Sequence, residues 1–346
     1  MTRAIIDSTT SLRDAILREA LDGLLKPAGE QKSLPAWLFY DEHGSNLFQQ
    51  ITELPEYYLT RTERKLLAAH ANELLLEMGA PVTLVELGAG TAAKTGLLLH
   101  AALRFQPEVL YQPIDVSASA LREAAETLGA EIPGVIVAPQ VANYITETFT
   151  IERPAGQRIL ALYIGSSIGN FPPAEQVAIL RKLRAHLQPG DALLLGVDMS
   201  PVPGTMNGNG NGHAYISNGR EHKSIATLIA AYDDSAGVTA AFNRNILAHL
   251  NRELGSDFDP ARFLHRARWN PAQSRMEMYL ESNGAQTFHL DGHVISFAAD
   301  ETIHTENSYK FTAEAVLTLF ARSGFTPALT LEDPAGFFSV TLATAS

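Results

Sequence analysis

The middle of the chain, from Val82 to Val197, alternates short apolar runs with segments that have helical periodicity. Strands that are apolar throughout, separated by helices, are typical of a parallel sheet covered by helices on both faces. The pattern predicts strands at Val82–Leu87, Leu110–Ile114, Val135–Val141, Ile159–Ile164 and Ala192–Val197, and helices at Ala92–Phe105, Ala118–Leu128 and Pro173–Leu187.

The flanking regions follow other patterns. Before the alternating region, the sequence predicts helices at Ser11–Leu25 and Thr62–Met78, with Thr60 as a candidate N-cap, and an aromatic, turn-rich stretch at Leu34–Tyr58. After it, the sequence predicts helical structure at Ile225–Leu254, antiparallel strands within Ala267–Ile295, a helix at Thr312–Ser323, and a terminal hairpin of Ala328–Leu331 and Phe338–Leu342.

These patterns together predict an α/β protein with two parts. A Rossmann-like domain with a parallel-type sheet would span residues 60–200, with a C-terminal return at roughly 312–346. A second, smaller α+β subdomain, expected to bind substrate, would comprise residues 1–59 and 222–311. Residues 200–221 contain the run Asn207–Gly212, in which asparagine and glycine alternate, so we expect a flexible loop there.

Composition and charge narrow the class of protein. Hydrophobic residues make up 46% and charged residues 18% of the 346 residues, which is enough to build a large core. The net charge of −12 disfavours binding to nucleic acid or to anionic membranes. The absence of cysteine excludes disulfides and cysteine zinc sites, and the 11 histidines lack metal-ligand spacing, so we predict no metal. We recognise no secretory signal or membrane span and expect a cytoplasmic protein.

A glycine-rich turn after the first strand of the alternating region indicates a nucleotide site. Glu86, Gly88 and Gly90 lie in the sequence Glu-Leu-Gly-Ala-Gly-Thr, where glycines let the backbone approach a ligand closely. Asp115 ends the next strand, where a carboxylate can accept hydrogen bonds from both ribose hydroxyls. Glu86 favours S-adenosylmethionine. Asp115 fits NAD equally well, so a nicotinamide-dependent oxidoreductase remains an alternative, as does a turn that serves packing alone.

Five further motifs, in this order, resemble those of one family. They are Phe39-Tyr40-Asp41-Glu42-His43-Gly44-Ser45, Leu54-Pro55-Glu56-Tyr57-Tyr58-Leu59-Thr60-Arg61, Gly165-Ser166-Ser167-Ile168-Gly169-Asn170-Phe171, Asn251-Arg252-Glu253-Leu254-Gly255 and Thr305-Glu306-Asn307-Ser308-Tyr309-Lys310-Phe311. The chain resembles the L-histidine N-alpha-methyltransferase family of ergothioneine biosynthesis from about Leu34 to Phe338. The resemblance implies a class I methyltransferase fold, S-adenosylmethionine as cofactor, and trimethylation of the histidine amino group to hercynine. Fungal relatives methylate a prenylated tryptophan, so tryptophan or a derivative is the alternative substrate.

The resemblance also implies roles for individual residues. Tyr57 and Asn170 would be the catalytic pair and would hold the substrate's amino and carboxylate groups. Tyr232, accompanied by Thr239, would bind the carboxylate, and Met278 would flank the imidazole. The cofactor would be held by Tyr40, Gly88, Lys94, Asp115, Asn143, Tyr144 and Gly165.

Glu306 and Ser308 are two residues apart, so on an extended segment their side chains point the same way. A carboxylate that accepts from one ring N–H, with a hydroxyl at the other nitrogen, would bind both edges of an imidazole. An indole has no ring acceptor and would leave Ser308 unmatched, at a cost of about 1–3 kcal/mol. We therefore predict that the pair makes histidine the preferred substrate. A surface salt bridge between Glu306 and Lys310 is the alternative.

Two features depart from the family pattern, and several assignments have structural alternatives. The Asn/Gly run looks like an insertion. Asn143 stands where relatives often have aspartate, but an amide oxygen can still accept from the adenine amino group. Tyr232 and Met278 could be core residues, Asn170 part of a simple turn, and Lys94 solvent-facing. The expected partner is a small molecule, L-histidine, bound by a monomer.

Overall fold

The computed structural model describes residues 12–27, 29–201, 215–217 and 220–346, without the side chains at 215–217 and 220–222. The Asn207–Gly212 run therefore lies outside the described residues. The end of the predicted flexible loop forms a small hairpin of two strands, Tyr215–Ser217 and Arg220–His222. Among the described residues, no helix combines the length and the apolar character needed to cross a membrane.

The elements are numbered along the chain. The helices are α1 (Leu12–Leu24), α2 (Glu42–Glu53), α3 (Tyr58–Met78), α4 (Gly96–Ala102), α5 (Ala118–Glu131), α6 (Pro173–Arg184), α7 (Ile225–Tyr232), α8 (Val238–Leu254) and α9 (Ala313–Ser323), with short 3₁₀ helices at Ala36–Phe39, Ser167–Asn170 and Pro260–Arg262. The strands are β1 (Lys32–Ser33), β2 (Val82–Leu87), β3 (Val109–Asp115), β4 (Val135–Val137), β5 (Gln140–Val141), β6 (Arg158–Tyr163), β7 (Ala192–Asp198), β8 (Tyr215–Ser217), β9 (Arg220–His222), β10 (Phe263–Asn270), β11 (Arg275–Ser282), β12 (Gln286–Leu290), β13 (His293–Phe297), β14 (Thr302–Tyr309), β15 (Phe325–Glu332) and β16 (Phe338–Ala345).

The large sheet has the strand order β15–β16–β7–β6–β2–β3–β4, with the short β5 beside β3. The strands from β7 to β4 are parallel, whereas β16 runs antiparallel to β7 and to β15. The order of strand addition reverses at β2, between β3 and β6. Doubly wound sheets bind ligands beyond the carboxyl ends of the strands at such a point. The predicted Rossmann-like sheet is therefore confirmed.

Helices cover both faces of this sheet, as its continuously apolar strands require. Leu67 of α3 and Leu98 of α4 belong to the apolar cluster on one face, and both are fully buried. Leu180 of α6 and Phe320 of α9 belong to the cluster on the opposite face and are equally buried. The carboxyl edge of the sheet lies between these two layers.

The rest of the described chain forms a second, smaller α+β part. Strands β1, β14, β11 and β10 form a sheet in that order, and β12 and β13 pair as a hairpin. Helix α8 packs on β10 and β11 and contacts α1 and α2. Strand β14 also contacts the 3₁₀ helix Ser167–Asn170, which follows β6 of the large sheet. The residue boundaries of the two parts stay a prediction.

The stretch Leu34–Tyr58, predicted to be turn-rich, instead contains the twelve-residue helix α2. The helix begins because Asp41 is its N-cap and accepts the Gly44 N–H at 2.6 Å. The candidate N-cap at Thr60 is wrong, since α3 already begins at Tyr58. A residue with cap chemistry lying inside a helix cannot be distinguished from a true cap by local sequence.

The helical region Ile225–Leu254 consists of two helices, α7 and α8. The Asp234 carboxylate accepts the N–H groups of Val238 and Thr239 at 2.9 and 2.7 Å, which starts α8 anew. Tyr232 and Thr239 therefore lie on different helices. The predicted strand Val135–Val141 is likewise divided, into β4 and β5, and the predicted helix after the glycine turn is shortened to α4.

Candidate active site

The glycine turn follows β2 and is tied to the end of β3. Gly88 and Gly90 have φ of 68° and 53°, a region that glycine adopts without strain. The Asp115 carboxylate accepts the N–H of Gly90 at 2.9 Å and that of Ser117 at 2.8 Å. Burial raises the pKa of Asp115, while these backbone donors oppose the shift. The carboxylate is thereby fixed beside the turn.

Glu86 is buried beneath the same turn. Its carboxylate accepts from Thr95 Oγ1 at 2.6 Å and from the hydroxyl of Tyr111. Burial raises the pKa of Glu86 to about 7, against the effect of these two donors. Glu86 therefore ties β2 to β3 and to the residue before α4, and so holds the turn in place.

Lys94 faces the interior of the site, and the solvent-facing alternative is wrong. Its ammonium forms an ion pair with Glu63, a fully buried residue of α3. Glu63 also accepts the Gly165 N–H at 2.8 and 3.0 Å. Sequence reasoning missed Glu63. The signal that could have found it is an acidic residue at a position of α3 whose helical neighbours are apolar.

A single cleft of about 760 Å³ joins the glycine turn to the second part of the molecule. Ten of the predicted site residues line it: Tyr40, Tyr57, Gly88, Lys94, Asp115, Asn143, Tyr144, Gly165, Asn170 and Glu306. Four predicted substrate residues, Tyr232, Thr239, Met278 and Ser308, are buried and do not line it.

On one side of the cleft, Asn143 and Tyr144 are already held by neighbours. The Asn143 side-chain oxygen accepts the Ile145 N–H at 3.1 Å, which leaves that oxygen one further lone pair. The Tyr144 hydroxyl lies 3.1 Å from that of Tyr163, and burial raises the pKa of Tyr144. The predicted contact of Asn143 with an adenine amino group stays a prediction.

Several polar side chains that line the cleft make no hydrogen bond to any residue that the structure describes, among them those of Tyr40, Tyr57, Asn170 and Glu306. Burial raises the pKa of both tyrosines, and nearby Glu306 adds to each shift. Burial also raises the pKa of Glu306 to about 7, opposed by the charge of Lys310. Polar groups without an internal partner in a partly buried cleft are available to a ligand.

A β-bulge determines which way Glu306 points. On β14, His304 pairs with Tyr279 and Glu306 pairs with Met278, so Thr305 is an extra residue. Glu306 therefore lies on the face opposite to His304, although the two are separated by two positions. Ser308, paired with Met276, shares the face of Glu306. The predicted common direction of Glu306 and Ser308 is confirmed by this register.

The alternative of a surface salt bridge between Glu306 and Lys310 is wrong. Lys310 is buried, and its ammonium bonds to Asp198, Tyr232 and Ser308. The Tyr232 and Ser308 hydroxyls lie 2.7 Å apart, and the Tyr232 ring meets the Tyr57 ring edge-on at 6.4 Å. Tyr232 is thus buried and hydrogen-bonded, directly behind a residue of the cleft wall.

Thr239 and Met278 are also buried and do not line the cleft. Thr239 is buried at the start of α8, where its N–H donates to Asp234. Met278 is 2% exposed and lies beside Glu306 across the strand pair. Their predicted contacts with a substrate stay predictions.

Comparison with known proteins places the chain in a family. Residues 16–345 match the family described as "Histidine-specific methyltransferase, SAM-dependent". The chain belongs to this family. The histidine N-alpha-methyltransferase of Mycolicibacterium smegmatis is 41% identical over 336 residues, covering 96% of each chain. That of Mycobacterium tuberculosis is 40% identical over 332 residues, covering 95% of this chain and 94% of that one. The ergothioneine biosynthesis protein 1 of Schizosaccharomyces pombe is 27% identical, covering 88% of this chain and 39% of that protein.

The cleft of this histidine-specific methyltransferase fits S-adenosylmethionine. A Cβ built on Gly90 would meet no protein atom within 4 Å, and one on Gly88 would meet its nearest neighbour only at 3.5 Å, so the turn leaves room for a ligand. The Asp115 carboxylate stands beside this space as a hydrogen-bond acceptor. Membership in the family removes the oxidoreductase alternative.

Proposed function

We propose that the protein is an S-adenosylmethionine-dependent L-histidine N-alpha-methyltransferase, which trimethylates the amino group to give hercynine, as in ergothioneine biosynthesis. The relatives named for this activity support the proposal over nearly their whole length. The observation that carries it is the group of polar side chains without an internal partner in the cleft, among them Glu306 on β14 of the second part of the molecule. A cytoplasmic, monomeric enzyme stays an expectation from the sequence.

The cofactor would be held by residues at the carboxyl edge of the large sheet, together with Tyr40 from the second part of the molecule. Asp115 would accept from ribose hydroxyls, and Asn143 with Tyr144 would flank the adenine. Gly88 and Gly165 would let the backbone approach the ligand, and Lys94 would lie near the methionyl carboxylate. When bound, S-adenosylmethionine supplies a methyl group activated by its sulfonium centre.

The substrate end would orient an amine and exclude water. Asn170 offers a donor and an acceptor, which suits an amino group that changes as methyl groups are added. Tyr57 stays protonated, because burial raises its pKa, and would donate to the substrate. Tyr232 stands next to Tyr57 and Ser308 next to Glu306. A substrate between Tyr57 and Glu306 would also contact these two neighbouring hydroxyls.

Transfer of a methyl group to an amine needs a neutral nitrogen with its lone pair aimed at the methyl carbon. Orientation of this kind can supply about 7–11 kcal/mol of barrier lowering. The cleft accordingly presents orienting hydrogen-bond groups. The chain's contribution would be to bind, aim and desolvate the amine.

The proposal is tested with labelled S-adenosylmethionine and a panel of amino acids that includes histidine and tryptophan. We expect histidine to be methylated in preference to every other member. Glu306→Ala should remove most of this preference while S-adenosylhomocysteine binding, measured by calorimetry, is retained. Turnover of tryptophan without turnover of histidine would overturn the proposal.

A further inference from the structure

A buried cluster of charges lies behind the substrate end of the cleft. The Asp198 carboxylate, at the end of β7, forms ion pairs with Lys223 and Lys310 and accepts the Tyr58 hydroxyl at 2.9 and 2.8 Å. The side chains of Asp198 and Lys310 are fully buried, and that of Lys223 is 2% exposed. The cluster thus combines one carboxylate with two lysines. Buried ions are costly unless they are paired and hydrogen-bonded, so this arrangement needs a reason.

Lys310 has a hydrogen-bond partner for each of its protons. Its Nζ lies 2.8 Å from Asp198 Oδ2, 2.8 Å from Tyr232 Oη and 2.9 Å from Ser308 Oγ. An ammonium has three donors and no acceptor. Both hydroxyls therefore accept from Lys310, and neither can donate to it.

The two hydroxyls also bond to each other, because Tyr232 Oη and Ser308 Oγ are 2.7 Å apart. Each hydroxyl carries one proton. Tyr232 keeps its own, because burial and the charges of Asp198 and Glu306 raise its pKa. One of the two protons forms the bond between the hydroxyls. A single proton is left for a partner outside the pair.

We propose that Lys310 is a positioning residue that fixes the direction of the hydrogen bonds of Tyr232 and Ser308, so that the pair offers the substrate one proton. The inference rests on the proposed function, in which Tyr232 faces the substrate carboxylate. A carboxylate accepts only, so Tyr232 must donate to it. Ser308 then donates to Tyr232 and has a lone pair left, so it meets the imidazole as an acceptor.

This direction determines the protonation of the bound ring. Ser308 accepts from one ring N–H. At the other ring nitrogen, either an N–H donates to the Glu306 carboxylate or the nitrogen accepts from protonated Glu306. Either arrangement holds one proton more than a neutral imidazole and an ionised carboxylate. The groups that face Glu306 are Tyr40, Tyr57, Tyr232 and Lys310.

Proton uptake on binding tests this inference with the wild-type protein. The ligand is Nα-trimethylhistidine, because its ammonium has no proton to lose, and S-adenosylhomocysteine is present at saturation. At about pH 8, where the free ring is neutral, calorimetry in buffers of different ionisation enthalpy should show uptake of about one proton. Binding without uptake would mean that Ser308 donates to the ring, and would overturn the inference.

The variant Lys310→Met, with Lys223→Met as its matched control, assigns the effect to Lys310. Each removes one lysine from Asp198 and leaves the other in place, so the carboxylate stays paired in both. Only Lys310 reaches the two hydroxyls. The Lys310 ammonium holds the two hydroxyl oxygens together, so in K310M Ser308 is free to turn away from Tyr232 and donate to the ring. We expect K310M to bind Nα-trimethylhistidine roughly tenfold more weakly and to lose the proton uptake, while K223M keeps both wild-type values.

Thermal unfolding and S-adenosylhomocysteine binding check that both variants fold. Equal behaviour of K310M and K223M toward Nα-trimethylhistidine would overturn the role of Lys310, while the proposed function would stand. Failure of the wild-type protein to bind Nα-trimethylhistidine would overturn the proposed function and this inference with it. Should K310M not fold, the uptake measured for the wild type and K223M still decides the direction at Ser308.

Discussion

The bulge on β14 should be sensitive to the loss of one hydroxyl group. Thr305 is 1% exposed, and its Oγ1 donates to Asn243 Oδ1 at 2.7 Å and approaches the Met278 carbonyl at 3.1 Å. Thr305→Val keeps the shape of the side chain and removes the donor. Asn243 cannot turn away to compensate, because its amide nitrogen is held by the Tyr279 carbonyl at 3.0 Å and by His265 Nδ1 at 2.8 Å.

The magnitude follows from the acceptor that is left unpaired. Asn243 is fully buried, and a buried acceptor without a donor costs about 1–3 kcal/mol. We expect the free energy of unfolding to fall by this amount. A strand that pairs one residue out of step turns its side chains to the opposite face, so loss of the bulge would move Glu306 and Ser308 away from the cleft. If all of this ~1–3 kcal/mol disfavours the conformation that contains the bulge, histidine affinity falls by up to about 5- to 150-fold.

The assay combines denaturant unfolding with two calorimetric titrations. Binding of S-adenosylhomocysteine should be unchanged, because most of its predicted residues, such as Asp115, lie at the carboxyl edge of the large sheet and none lies on β14, and only histidine binding should weaken. Thr287→Val on β12 is the control, since Thr287 is exposed and makes no side-chain hydrogen bond to a described residue. A destabilised T305V with wild-type histidine affinity would refute the link between the bulge and Glu306. Unchanged stability would refute the hydrogen bond itself.

Two further predictions concern packing and pH. Gly169→Ala places a Cβ 2.7 Å from the Tyr309 carbonyl oxygen, so it should displace Asn170 and lower kcat/KM for histidine by up to about 100-fold. The control Gly284→Ala, which meets no atom within 4 Å, should not lower it, and equal effects of the two would contradict the prediction. Burial raises the pKa of Glu86 from 4.5 to about 7. Its contribution to the free energy of unfolding is therefore full below about pH 4.5 and is lost as the pH rises through about 7. Between about pH 5 and 8, the free energy of unfolding of Glu86→Gln, measured by denaturant unfolding, should therefore fall by about 2–3 kcal/mol less than that of the wild type. Equal pH dependence of the two proteins would show that Glu86 stays ionised.

Features encoded within short segments could be predicted from the sequence. The strand Val82–Leu87 was predicted with the bounds that the structure has, because a continuous apolar run between turns has few other solutions. The glycine turn and Asp115 were also found, since a glycine-rich turn and the residue that ends the next strand are local features. The alternation of Glu306 and Ser308 needed only the two-residue period of a strand.

Features that depend on partners distant in sequence could not be predicted in this way. Helix α2 was missed because its apolar residues are few, and its N-cap Asp41 is also held by Asn245 of α8. Glu63 was missed because its partners, Lys94 and Gly165, are 31 and 102 residues away. A charged residue in a helix is ordinarily exposed, and only the packed structure shows that it is not.

The substrate end shows the division between sequence and tertiary structure most directly. The sequence by itself determined that Glu306 and Ser308 share a face and that a nucleotide turn lies at Gly88. Only the tertiary structure decided which face it is, through a bulge whose extra residue, Thr305, donates to Asn243 of another element. It also decided the partners of Lys310, which bonds to Asp198 rather than to Glu306. Local periodicity repeats along the chain whatever its neighbours are, whereas register and ion pairing depend on how separate elements pack.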